Sequence, residues 1–229
     1  MNKSDYIIIS VGGSIIIPDT IDISFLTAFR KTILEEVRKG KRFVLIIGGG
    51  KTCRNYQNAA SEIVDLTTED KDWIGIHSTH FNAHFMRYIF KDVAYDSILT
   101  NPEDFPETDT PIIVGAGYKP GCSTDVDAIL IAKASGAKVV INLSNIDYVY
   151  NTDPKKDKNA QPIKEISWKD YLSIIPNTWI SGMNTPFDPV ASQRAQELNI
   201  TVAIMNGENT DNFSRYLNGD SFVGTVISS

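Results

Sequence analysis

The sequence has little of what marks secreted, membrane-embedded or nucleic-acid-binding proteins. Two cysteines in 229 residues support neither a disulfide framework nor a cysteine-based metal site. The longest apolar runs, such as Tyr6–Val11 and Phe43–Ile47, are far too short to cross a membrane. The 22 basic residues are outnumbered by 28 acidic ones and form no cluster, which argues against binding to a nucleic-acid polymer. The opening residues, MNKSDY, lack a signal-peptide pattern, so we expect a cytoplasmic protein without a membrane partner.

Two standard phosphate-binding motifs are also missing. Gly50-Lys51-Thr52 looks like the end of a P-loop, but that motif requires a glycine where Leu45 stands. No G-x-G-x-x-G follows an apolar run, which argues against a Rossmann dinucleotide site. His77, His80 and His84 share one face of a predicted helix, but no acid accompanies them in an obvious place, and we expect no metal-ligand set.

Glycine is present in average number, but its placement is informative. Three glycine clusters each follow a short apolar, β-branched run of the kind that predicts strands buried on both faces of a parallel sheet. Glycine lets backbone N–H groups approach a phosphate closely, and a following helix N-terminus adds partial positive charge. Three such turns at one edge of a sheet predict a site for more than one phosphoryl group. The runs are Tyr6–Val11 before Gly12 and Gly13, Phe43–Ile47 before Gly48, Gly49 and Gly50, and Ile112–Val114 before Gly115 and Gly117.

Helical patterns lie between these runs. Apolar residues from Leu26 to Val37 recur at spacings of three and four, with Ser24 as the expected N-cap and Gly40 at the C-terminal end. The alternation predicts an α/β fold, a three-layer αβα sandwich with a mainly parallel central sheet. Further helices are predicted over Thr52–Val64, Asp70–Tyr88, Thr124–Ser135, from Asp188 onward and over Thr210–Leu217, and further strands over Lys138–Leu143, Ile200–Met205 and Phe222–Ile227.

One domain is expected to span residues 1–229, because no linker or repeat divides the chain. Two lobes are expected within this domain, at about 1–140 and about 141–229. The polar segment Asn151–Pro162 is predicted to be an exposed loop or hairpin.

Six short segments of the chain occur in a characteristic order. They are VGGS (11–14), IGGGKTCRNY (47–56), PGCSTD (120–125), SNIDYVYNTDP (144–154), FDP (187–189) and GTVI (224–227). Together they resemble the amino-acid kinase superfamily over essentially the whole chain. The N-x-D-x-V-Y-x-x-D-P string is typical of the superfamily. The G-G-G-x-x-x-R pattern with a later P-G-x-[ST]-T-D is most similar to archaeal-type uridylate kinases.

This resemblance implies a function. It implies transfer of the γ-phosphoryl group of ATP to UMP, giving UDP and ADP, with Mg²⁺, in pyrimidine nucleotide biosynthesis. It further implies UMP bound by the lobe at about 1–140, ATP bound by the lobe at about 141–229, UTP as a feedback inhibitor, and a dimer-based homohexamer.

The resemblance also implies roles for individual residues. On the acceptor side it assigns phosphate, ribose and base contacts to Gly48, Gly49, Gly50, Arg54, Asp72, Ser123 and Thr124. For catalysis it points to Asp125 beside the transferring phosphate, with Arg54, Lys51 and Ser10. On the ATP side it assigns Gly12, Gly13, Ser14, Ser144, Asn145, Asp147, Tyr150 and Asp153.

Three positions depart from the usual pattern of the superfamily. Ser10 stands where many members carry a lysine, Gln193 replaces a second lysine, and Tyr148 replaces the glycine after the donor-loop aspartate. Phosphoryl transfer needs positive charge near the phosphate oxygens, so other cations must supply it. The candidates are Lys51, Arg54, Lys119 and Arg194 together with Mg²⁺. Two alternatives therefore stay open: a related kinase for another small acid or phosphate, and a catalytically weakened nucleotide sensor or storage protein.

Overall fold

The computed structural model describes residues 3–176, 178 and 185–229. Met1 and Asn2, the first residues of the MNKSDY segment, lie outside this range. The strands in the described part are β1 Tyr6–Val11, β2 Arg42–Ile47, β3 Ala94–Leu99, β4 Ile112–Gly115, β5 Val139–Ser144, β6 Val149–Tyr150, β7 Pro162–Ile163, β8 Glu165–Ser167, β9 Thr201–Asn206 and β10 Thr225–Ser228. The helices are α1 Gly13–Ile16, α2 Ile23–Arg38, α3 Gly50–Ile63, α4 Thr68–Ile89, α5 Thr124–Ser135, α6 Trp168–Ile174, α7 Pro189–Glu197 and α8 Thr210–Leu217.

Eight strands form one sheet in the order β3-β4-β2-β1-β5-β9-β10-β8. Every neighbouring pair from β3 to β9 is parallel, whereas β10 runs antiparallel to β9 and parallel to β8. The mainly parallel sheet is therefore confirmed. The two short strands β6 and β7 pair antiparallel and bracket the predicted exposed segment, which forms a hairpin.

Each face of the sheet has its own hydrophobic core. Along β1, Ile8 packs on the side of α5, α6 and α7, while Ile9 and Val11 pack on the side of α2, α4 and α8. This alternation follows from the two-residue period of a strand. The three-layer αβα sandwich is thereby confirmed. No described helix is both long and apolar enough to span a membrane.

Several element boundaries differ from the prediction. Ser24 is not the N-cap of α2, because Asp22 accepts the backbone N–H of Phe25 at 2.9 Å and also the hydroxyl of Ser24. Helix α4 begins earlier than predicted, at Thr68, because Thr67 and Asp70 form a capping box. Gly40 does follow the end of α2, with a φ of +92°.

The carboxyl ends of the parallel strands meet at one edge of the sheet. The turns after β1, β2, β4 and β5 all open there, because these strands point the same way. The predicted phosphate-binding turns and the predicted ATP loop are thus placed on a single edge, which is where the site is found.

Candidate active site

The glycine turns after β1 and β2 lie in direct backbone contact. A Cβ atom on Gly13 would overlap the backbone nitrogen of Gly50, and a Cβ on Gly50 would overlap the carbonyl oxygen of Gly13. Gly50 also has a φ of +61°, which favours glycine. The two turns can approach this closely only because both positions lack a side chain.

The three glycines after β2 differ in what their N–H groups do. The N–H of Gly48 donates to the carbonyl of Val11 at 3.0 Å, so it is already used within the fold. Within the described chain, the N–H groups of Gly49 and Gly50 have no acceptor. Both lie at the N-terminus of α3, where the helix dipole adds partial positive charge. Of the three glycines predicted to bind a phosphate, Gly49 and Gly50 are therefore the two whose N–H groups are not already used within the described residues.

The carboxyl group of Asp125 joins three elements at the same edge. Its Oδ1 accepts from the hydroxyl of Ser10 and from the side-chain amide of Asn142, both at 3.0 Å. Its Oδ2 accepts from the backbone N–H of Asp188 at 3.2 Å. Ser10 and Asn142 are direct partners in the β1–β5 register, so both side chains face α5. Ser10, which stands where many members of the superfamily carry a lysine, thus supplies a neutral hydrogen bond.

Three carboxyl groups are crowded here. Burial and the neighbouring charge of Asp188 raise the pKa of Asp125, and burial raises the pKa of Asp188. Burial also raises the pKa of Asp127 to about 7. The Oδ2 atom of Asp188 and the Oδ1 atom of Asp127 are buried without a hydrogen-bond partner in the described residues. The cluster is consequently short of positive charge.

The predicted cations lie around this cluster rather than in it. Lys51 pairs with Asp19 across 3.3 Å between Nζ and Oδ1. Arg54 is exposed one turn into α3, four residues beyond Gly50. The charges of Lys119 and Arg194 are close enough to oppose the rise in the pKa of Asp127. Positive charge therefore borders the site without pairing directly with Asp125.

The remaining acceptor-side residues border the turn between β4 and α5. The carboxyl of Asp72 accepts the N–H of Gly121 at 2.9 Å. Ser123 caps α5 by accepting the N–H of Val126 at 3.4 Å. Thr124 is the first residue of α5. Asp72 lies in the second turn of α4.

A cavity of about 410 Å³ lies beside the hairpin of β6 and β7. Four residues predicted for ATP contribute to its wall, together with the aromatic ring of Tyr148. The four are Ser144, Asn145, Tyr150 and Asp153. Asp147 is not among the described lining residues, and its Oδ1 accepts instead from the side-chain amide of Asn206 at 3.1 Å. Gly12 is the N-cap of α1 and Gly13 and Ser14 are its first two residues, and none of the three is among the described residues that line this cavity.

Two site residues were missed by reasoning from the sequence. Asn142 lies within the buried strand β5, and Asn82 lies within α4, where its side-chain amide contacts the Gly48–Gly50 turn. The available signal was a polar residue among apolar neighbours in a buried element. Such a residue must find a hydrogen-bond partner, but the sequence alone does not name it.

Comparison with known proteins identifies the family of the chain. Residues 5–206 match the model of the amino acid kinase family. The chain is 29% identical over 223 residues to a uridylate kinase of Hyperthermus butylicus, covering 96% of this chain and 97% of that protein. It is 32% identical over 192 residues to a uridylate kinase of Pyrococcus abyssi, covering 81% and 83%. The crystal structure of the Archaeoglobus fulgidus uridylate kinase superposes with a TM-score of 0.83 at 28% identity, covering 97% and 99%. The chain therefore belongs to the amino acid kinase family.

Proposed function

We propose that this protein is a uridylate kinase that transfers the γ-phosphoryl group of ATP to UMP, giving UDP and ADP. The observation that carries the proposal is the pair of backbone N–H groups on Gly49 and Gly50 at the N-terminus of α3, which have no acceptor among the described residues. The uridylate kinases to which the chain is similar provide the choice of acceptor.

The acceptor and donor are assigned to different parts of the chain. In this proposal the phosphate of UMP lies against Gly49 and Gly50, with Arg54 reaching it from α3. The lobe at about 1–140 then holds UMP and the lobe at about 141–229 holds ATP. The cavity beside the hairpin fits a nucleotide base, since its volume lies in the range of small-molecule sites and Tyr148 and Tyr150 provide aromatic surface.

The carboxylates of the site also fit Mg²⁺. This ion prefers hard oxygen ligands and is commonly held by one or two carboxylates plus substrate phosphates. Asp125 and Asp188 would hold it, because the Oδ2 atom of Asp188 is buried without a partner. The bound ion would supply the positive charge that offsets the developing charge on the phosphate oxygens.

The chain's own residues act mainly by positioning. The acceptor oxygen of a nucleoside monophosphate is already anionic, so the reaction needs no general base. The N–H groups of Gly49 and Gly50 orient the acceptor phosphate, and Arg54 adds a bidentate charged contact. Asp125 is hydrogen-bonded to β1, to β5 and to the N-cap of α7, which fixes the position of the acceptor region relative to the donor region. Most of the rate acceleration then comes from alignment and electrostatics.

The proposal is tested by following ADP release with ATP and a panel of acceptors. The panel contains UMP, CMP, isopentenyl phosphate, carbamate and acetylglutamate. We expect UMP- and Mg²⁺-dependent turnover, reduced ~10- to 100-fold in kcat/KM by Arg54→Ala because a charged phosphate contact is lost. The matched control is Arg38→Ala at the far end of α2, which should leave turnover unchanged. The proposal fails if no acceptor raises ADP release above the background without acceptor.

A nucleotide-binding protein with weakened catalysis is the second candidate. It is favoured by one observation, namely that the groups donating to Asp125 within the described part of the chain are all neutral, those of Ser10, Asn142 and Asp188. This candidate predicts calorimetric binding of ATP or UTP without turnover, and recovery of turnover in Ser10→Lys. The same titration tests UTP as a feedback inhibitor, which would compete with UMP.

The proposed assembly is a homo-oligomer built from dimers. Support comes from large side chains exposed on α3 and α4, since Tyr56, Phe81 and Tyr88 are all more than half exposed. A second copy of the chain is the proposed occupant of this surface. Light scattering should show a multimer that Phe81→Asp dissociates, and a wild-type monomer at micromolar concentration would refute it.

A further inference from the structure

The side chain of Asn82 holds two consecutive carbonyl groups of the Gly48–Gly50 turn. Its Nδ2 donates to the carbonyl oxygen of Gly48 at 2.9 Å and to that of Gly49 at 3.1 Å. Asn82 is only 1% exposed, and it lies 34 residues from Gly48 along the chain. The amide must present its NH₂ group here, because its oxygen would face two carbonyl oxygens.

The direction of these carbonyl groups determines the direction of the neighbouring N–H groups. In a planar trans peptide, the C=O of one residue and the N–H of the next point to opposite sides. The carbonyl of Gly48 points at Asn82, so the N–H of Gly49 points away from α4. The carbonyl of Gly49 also points at Asn82, so the N–H of Gly50 does the same. These are the two N–H groups that have no acceptor within the described chain.

Helix α4 holds a second glycine turn in the same way. The hydroxyl of Thr79 accepts the N–H of Gly117 at 2.9 Å, and Nε2 of His80 lies 2.8 Å from the carbonyl oxygen of Gly117. Thr79 is buried and its hydroxyl also donates within the helix to Ile76. One face of α4 therefore sets the turn after β2 and the turn after β4 relative to each other.

We propose that Asn82 is a positioning residue for acceptor binding. It keeps the carbonyls of Gly48 and Gly49 on the α4 side, so that both free N–H groups face the phosphate monoester of the acceptor. The carbonyl of Gly49 also accepts the backbone N–H of Cys53 at 3.2 Å, whereas the carbonyl of Gly48 has no second donor among the described residues. Without Asn82, the peptide that joins Gly48 to Gly49 can therefore rotate, and a carbonyl oxygen then faces the phosphate in place of an N–H. The inference rests on the proposed function in that the acceptor is taken to be a nucleoside monophosphate.

The test compares steady-state constants for both substrates in Asn82→Asp and Asn82→Ala. Asn82→Asp keeps the shape of the side chain but turns oxygen atoms toward the two carbonyls, and Asn82→Ala removes the donors altogether. We expect KM for UMP to rise ~10- to 100-fold and KM for ATP to change less than twofold. A merely structural role would instead alter both KM values or lower kcat alone.

The matched control is Ser78→Ala, one turn earlier on the same helix. Ser78 is also buried, but its hydroxyl donates only to the carbonyl of Ile74 within α4. This variant should leave KM for UMP unchanged. If Asn82→Asp does not fold, as judged by circular dichroism and ATP binding, Asn82→Ala carries the comparison.

Calorimetry separates failure of this inference from failure of the proposed function. Absence of UMP-dependent turnover in the wild-type protein would refute the proposed function without bearing on the role of Asn82. Binding of UMP and of inorganic phosphate then reports on the turn directly, and both should weaken at least tenfold in the Asn82 variants. Wild-type affinity for UMP in Asn82→Ala would overturn the role of Asn82 whatever the turnover.

Discussion

Replacing Glu36 by glutamine should destabilise the protein in a strongly pH-dependent way. Glu36 lies near the end of α2 and is only 1% exposed. Its two oxygens accept from Lys39 at 2.6 Å and from Lys41 at 2.5 Å. The side-chain amide of Asn218, just after α8, donates to Oε1 as well, at 3.2 Å. A single buried carboxylate thus joins α2 to the end of α8.

The size of the effect follows from the pKa of Glu36. Burial works against the charged form, but the hydrogen bonds from Lys39, Lys41 and Asn218 outweigh it and lower the pKa from 4.5 to about 2. At about 1.4 kcal/mol per pKa unit, ionised Glu36 contributes about 3 kcal/mol to the free energy of unfolding at pH 7. Because the pKa is lower in the folded state, this contribution is complete above about pH 4.5 and is lost as the pH falls toward 2.

Urea unfolding from pH 7 to pH 3 measures this contribution. The difference in free energy of unfolding between the wild type and Glu36→Gln should be about 2–3 kcal/mol at pH 7 and less than half of that at pH 3. Glu35→Gln is the matched control, because Glu35 is exposed and its nearest lysine nitrogen is 3.9 Å away, so it should change stability by less than about 0.5 kcal/mol. A difference for Glu36→Gln that stays constant across this pH range would refute the reasoning.

Three further changes test the site. Gly13→Ala should abolish stable folding or phosphate binding, because its Cβ would overlap the backbone of Gly50, whereas Gly75→Ala in α4 should be neutral or stabilising in the same thermal melts. Asp125→Asn should raise the melting temperature while lowering kcat, because the raised pKa means that the folded protein disfavours the charged form, and a lower melting temperature would contradict this. Tyr148→Gly should change KM for ATP but not KM for UMP, since Tyr148 lines the cavity proposed for ATP, and equal changes in both would contradict that proposal.

The buried strands could be predicted because their apolar side chains must be shielded from water. The strands β1 and β2 are continuous apolar runs, which in a chain of this length must be covered on both faces. Strand β3 was not predicted, because it lies at the edge of the sheet and carries the exposed residues Asp96 and Ser97. An edge strand pairs with a neighbour on one side only, and its exposed positions can carry polar residues. Its sequence therefore lacks the continuous apolar run from which the other strands were predicted.

The sequence predicts which turns contribute to the candidate site but not which backbone groups of those turns are available. Gly48, Gly49 and Gly50 are identical in the sequence, yet the N–H of Gly48 donates to Val11 while the N–H groups of the other two have no acceptor among the residues that the structure describes. This difference comes from strand register and from Asn82, which are contacts between residues more than 30 positions apart. Local sequence can therefore indicate that a phosphate turn exists, because glycine and a following helix are local features. It cannot say which N–H groups remain for the phosphate, because that depends on the elements packed behind the turn.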